Sequence, residues 1–199
     1  MATRRQVLWT VVAGWLTLGL LAASSGVAEE FPWLAALESD GVVFFAFQSP
    51  PTVERFDLAA LEWLDSIVLA DDPTAFYADE DGLYIGFELQ VSRFGRDGSE
   101  ETVLATFDTA PEALFSVGDV LYAYDGRTMY SMDKEAGTVL DSMEFSDQLV
   151  GMSVAPATGY VYGWDYGSIP QDIARLELLA DGMIGERVED SPYHGDHRV

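Results

Sequence analysis

A four-part unit recurs along this chain, and a chain that repeats at a fixed spacing buries a core only by stacking its copies. The pairs Val43-Phe44, Leu83-Tyr84, Leu121-Tyr122 and Val161-Tyr162 mark the unit, at spacings of 40, 38 and 40 residues. A turn signal precedes each pair: Asp40-Gly41, Asp81-Gly82, Gly118-Asp119 and Thr158-Gly159. A β-type run follows each pair, at 53–57, 91–95, 129–133 and 173–177. Two flanking runs complete the unit. The first lies at 34–37, 74–78, 113–116 and 150–154, and the fourth at 63–69, 102–107, 138–145 and 184–188. From Glu30 onward no long segment carries a 3.6-residue apolar period, so strands and turns are expected with very little helix.

In the third run the apolar residues fall at the first and fourth positions, which strict alternation would place on opposite faces. A bulge or burial on both sheet faces would reconcile that. Four strands per unit of ~40 residues are the pattern of a β-propeller blade. The fold class expected is therefore all-β, with about four four-stranded antiparallel blades after an N-terminal signal helix. Phe44, Tyr84, Tyr122 and Tyr162 are expected to fill the spaces between blades. A β-sandwich would also yield many short strands, but its strands have no reason to recur at one period.

Charge narrows the partners. Against 34 acidic residues stand 10 basic ones, a net charge of −24, and Lys134 is the only lysine. Phosphate binding needs a basic patch, so nucleic acid is not an expected partner. Polycations, metal ions or a saline medium suit such a surface better. With no cysteine there is no disulfide, thiolate metal site or lipid-modified cysteine. At the N-terminus, Arg4-Arg5 precede an uncharged run from Val7 to Ala23, then Ser24-Ser25-Gly26-Val27-Ala28. This is the layout of an export signal, 1–28, with a weak twin-arginine character. The expected location is secreted, periplasmic or cell-surface through Sec or Tat export. Membrane contact is expected only through this segment if it stays uncleaved. The blades then occupy 29–189, and 190–199 is a connector or the start of a further blade.

Across roughly Leu34 to Val188, the period and strand texture resemble the secreted bacterial β-propellers of the YVTN/lactonase-like group. The resemblance implies six to eight blades, whereas about four are present. A closed four-bladed ring, a piece of a longer propeller and a half-ring pairing with another copy all follow, and the 190–196 connector favours the piece. An open stack would leave strand edges and blade faces for self-association.

If each blade is a meander, the links between blades share one end with the hairpin joining strands two and three. The links carry Asp71, Asp72, Asp108 and Asp147, and the lengthened hairpin of the fourth unit carries Trp164, Asp165 and Tyr166. These three aromatic and acidic residues are the candidate ligand-binding set, for a protein or carbohydrate ligand. The four link aspartates with His194 and Asp196 are the candidate metal set, calcium being the cation that carboxylates suit. Turn chemistry alone also explains Asp, Pro and Gly there. Asp79-Glu80-Asp81-Gly82 is too short for a calcium loop, and no catalytic residue can be named. The function expected is a non-catalytic binding scaffold. The alternatives are a metal-assisted lactonase-like or glycosidic hydrolase using rim carboxylates, and a self-associating half-ring.

Overall fold

The computed structural model describes residues 33–145, 148–155, 159–165, 172–179 and 181–188. The chain divides into two units, Met1–Pro32 and Trp33–Val199, and every described residue lies in the second. The expected signal segment and the 190–199 connector lie outside the described residues.

Seventeen strands form four antiparallel sheets, and no described residue is helical. Sheet one holds β1 (Trp33–Ser39), β2 (Val42–Gln48), β3 (Pro51–Asp57), β4 (Glu62–Trp63) and β5 (Ile67–Val68). Sheet two holds β6 (Ala75–Ala78), β7 (Leu83–Phe87), β8 (Gln90–Phe94) and β9 (Thr102–Thr106). Sheet three holds β10 (Ala113–Val117), β11 (Val120–Tyr124), β12 (Thr128–Asp133) and β13 (Val139–Glu144). Sheet four holds β14 (Leu149–Ala155), β15 (Tyr160–Asp165), β16 (Asp172–Leu178) and β17 (Ile184–Val188). Sheets two to four run in simple meander order, the arrangement expected of propeller blades. Sheet one differs at its outer strand, expected as one run over 63–69. The chain leaves the ladder at Asp65, whose carbonyl accepts from Arg55 Nε and Nη2 at 3.0 and 2.7 Å, so β4 and β5 pair separately with β3.

The third strand settles its own pattern by burial on both faces. Val91 packs with Leu114, Leu121 and Met132 of sheet three, whereas Phe94 packs with Phe44 and Val53 of sheet one. Met129 and Met132 divide in the same way between sheets four and two. Bulges do occur, but between the third and fourth strands, at Val91/Ser92 and Ser131/Met132.

Three buried clusters follow, one for each pair of consecutive sheets. The first joins Phe44, Ala46 and Val53 to Leu83, Ile85 and Phe87; the second joins Tyr84 and Val91 to Leu121 and Met132; the third joins Tyr122, Tyr124 and Met129 to Val161, Leu176 and Leu178. Phe44, Tyr84 and Tyr122 are fully buried and occupy the same place in successive sheets, as the repeat requires. Tyr162 has the same place in sheet four and is only half-buried. Among the described residues no buried cluster joins sheet four to sheet one.

The turn between third and fourth strands also reaches the preceding sheet. Gly98, Gly137 and Gly182, with φ of +86°, +69° and +84°, lie against Ile67, Leu104 and Leu140 respectively. Sheet one has Leu61 at this place, with φ of +58°.

Candidate functional site

Antiparallel pairing sends the turns of each sheet to two ends. Links and second hairpins share one end, as expected. Gln48 Nε2, where β2 ends, donates to the Pro73 carbonyl of a link at 2.9 Å, and Thr109 Oγ1 of the next link donates to Asp125 Oδ2 at 2.6 Å. Burial works to raise the Asp125 pKa, but the Thr109 hydroxyl and the Thr128 and Arg127 amides outweigh it and hold the carboxyl below its ordinary range. Asp71, Asp72 and Asp108 lie exposed at this end. Trp164 and Asp165 do not sit in a loop: their backbones pair with Ile173 and Asp172 at the end of the β15–β16 ladder. Tyr166, Asp147, His194 and Asp196 lie outside the described residues. Among the described residues no three His, Asp or Glu side chains converge as metal ligands would.

The developed polar site lies at the opposite end, where the first and third hairpins turn. A cavity of about 490 Å³ opens there across the three turns of sheets one, two and three. Its centre is Lys134, the first residue after β12, which is 7% exposed. Lys134 Nζ lies 2.7 Å from Asp79 Oδ2 and 2.6 Å from Asp81 Oδ2, and it donates to the Gly118 carbonyl at 3.2 Å. The same nitrogen stands 5.7 Å from the centre of the Tyr84 ring. Ser116 Oγ lies 3.0 Å from Asp79 Oδ2 and 3.2 Å from Tyr77 Oη, completing the cluster.

The electrostatics follow from that geometry. Burial alone would pull the lysine pKa down, but the bonds to Asp79 and Asp81 more than offset it and hold it above the ordinary lysine value. The Lys134 bond holds Asp81 below the usual carboxylate range. Desolvation, with the Asp79 charge beside it, pushes Tyr84 up to about 12. A lysine acts as a base or nucleophile when its pKa is depressed toward neutrality. Here the ammonium is locked in its charged form, with its donors taken by two carboxylates and a carbonyl. Such a group holds structure and carries out no proton transfer at neutral pH.

Arg96 shows what the lysine is for, because it follows β8 as Lys134 follows β12. It donates to the Ser39 hydroxyl at 2.9 Å and the Ser39 carbonyl at 2.8 Å, to the Asp79 carbonyl, and it lies 5.1 Å from the Phe44 ring centre. In both cases a cation leaves one sheet, lies over the second-strand aromatic of the preceding sheet and binds that sheet's first turn. Arg96→Met is expected to lower unfolding free energy by about 1–2 kcal/mol, the order of a few charge-assisted bonds lost at a half-exposed site. Urea titration measures it.

Sequence reasoning placed the candidate residues at the other end and missed this cluster. Two signals were available: the uniqueness of Lys134, and a cation at the same repeat position in consecutive units. No protein-family model and no curated protein matches the chain. Solved structures do. The hydrazine synthase of Kuenenia stuttgartiensis matches at 17% identity with a TM-score of 0.64, over 82% of this chain and 51% of that one. The Pan2 WD40 domain of Neurospora crassa matches at 12% identity and 0.61, over 79% and 49%. The computationally designed Ika4 protein matches at 13% identity and 0.59, over 75% and 92%. The fold is thus that of WD40-like β-propellers, and the chain spans about half the length of the two natural structures.

Proposed function

We infer that this chain is an exported, non-catalytic binding scaffold of the kind found in the secreted YVTN/lactonase-like propellers. It would take a protein or carbohydrate partner on its turn-bearing ends. The observation that supports this is how the buried charges are used: Lys134, Asp79 and Arg96 all join sheet to sheet, and Lys134 is held charged by its partners. A rigid stack with exposed loops at both ends is a platform for binding. Its net charge of −24 favours cationic partners whose binding weakens as salt screens the attraction. Export through 1–28 places that partner outside the cytoplasm.

The test has two arms. The purified chain is assayed against lactones and glycosides with calcium and with a chelator, and its binding to oligolysine peptides and glycans is titrated at two salt concentrations. Expected are no turnover above the blank and a binding signal with oligolysine that falls with salt. Calcium-dependent hydrolysis abolished by Asp165→Ala would replace this reading with the hydrolase, its cation held by Asp71, Asp72, Asp108 and their neighbours on the rim.

A further inference from the structure

The two end sheets carry faces built for a contact that the chain does not make with itself. In sheets two, three and four, the second-strand residues facing the preceding sheet are fully buried: Leu83 and Ile85, then Leu121, then Val161. Val43 and Phe45 hold those places in sheet one and remain only half-buried. At the other end, Phe44, Tyr84 and Tyr122 face the following sheet, and their counterpart Tyr162 is half-buried. Both ends keep interface residues in interface register.

Size is inverted at the ends. Inside the stack, a small turn residue meets a large neighbour: Gly182 of sheet four lies against Leu140 of sheet three, a Cβ there falling 2.7 Å from Leu140 Cδ1. At the corresponding turn sheet one has Leu61, 56% exposed. The outer strand of sheet four is inverted the other way. Leu140 stands three residues after Gly137, and three residues after Gly182 stands Gly185. One end therefore offers a knob and the other a hole at the same point of the repeat.

Charge agrees. Arg55 of sheet one, paired with Phe44, donates to the Arg96 carbonyl of the following sheet at 3.0 Å. Its counterpart Arg175, paired with Tyr162, lies over the Tyr160 ring, and its buried Nε finds no acceptor among the described residues. The receiving face of sheet one carries Glu54, opposite Phe45.

We propose that sheet four of one copy packs on sheet one of a second copy, Leu61 seating over Gly185, and that two such contacts close a pair. This interface is independent of whether the turn-bearing ends bind a ligand. Sedimentation velocity on the full chain at micromolar concentrations tests it. The expected species has twice the chain mass. Leu61→Gly, which suits the positive φ and so keeps the fold, weakens the pair by about tenfold or more. Gly185→Leu does the same, and the double variant recovers association by recreating the Gly182-on-Leu140 arrangement. Circular dichroism confirms that each variant is folded. A monomer at every concentration overturns the proposal. So does a dimer indifferent to Leu61→Gly, as association through the apolar 7–23 run would be.

Discussion

Replacing Gly137 with alanine should unfold this protein at a markedly lower temperature, whereas the same change at Gly41 should be mild. Both glycines have positive φ, +69° and +78°, where any side chain adds about 1–2 kcal/mol of backbone strain. They differ in surroundings. A Cβ at Gly41 meets nothing within 4 Å, but one at Gly137 would overlap the Leu104 carbonyl oxygen and stand 2.8 Å from its carbon. That neighbour is backbone of the preceding sheet, so relief requires sheet three to back away from sheet two. The expected loss is about 3 kcal/mol or more for Gly137→Ala, a melting shift of roughly 6–12 °C at this chain length, against about 1 kcal/mol for Gly41→Ala. Calorimetry of the two variants side by side separates the clash from the strain common to both. Equal shifts would mean that the two sheets are not in contact at this point.

Removing the ammonium of Lys134 should be as informative. Lys134→Met keeps much of the stem but strands the Asp79 carboxylate, whose side chain is only 15% exposed. Breaking one side of a buried pair leaves an uncompensated charge, and the expected loss is about 2–4 kcal/mol; the exposure of Asp81 draws it toward the lower end. The pH dependence has a definite sign. Because the folded Lys134 pKa is raised, its contribution is fully present below the unfolded lysine value and disappears as pH rises through the higher folded one. Because the folded Asp81 pKa is lowered, its contribution is present above the unfolded aspartate value and disappears as pH falls through the lower folded one. Wild-type stability should therefore decline at both extremes, and the Lys134→Met curve should be flatter at the alkaline side. Urea midpoints from acid to strongly alkaline pH show the difference.

Much of the fold was legible because its determinants are local and repeated. The 40-residue spacing, the turn signals before Val43, Leu83, Leu121 and Val161, and the paired apolar positions of the third strand each identify an element without knowledge of its neighbours. The break in the outer strand of sheet one was not legible, since it depends on Arg55 reaching the Asp65 carbonyl across the ladder. The polar cluster was hidden for a related reason. Lys134 meets Asp81 across 53 residues, from a different sheet, and no local pattern encodes that meeting. The carboxylates of the links were conspicuous in sequence because turns favour them, and that preference says nothing about which turns converge. For Trp164 and Asp165 the long interval before the third strand suggested a loop, but the ladder continues through both, leaving only residues 166–171 beyond it.

The stacking of repeated sheets, each burying its faces on its neighbours, is tested most directly by native-state hydrogen exchange resolved by strand. The inner strands β7 and β11, bonded on both sides and buried on both faces, should exchange slowest and together, near the limit set by global unfolding. The outer strands β9 and β13, with mostly exposed side chains, should exchange faster. Rapid exchange through β7 and β11, or protection confined to a single sheet, would contradict it.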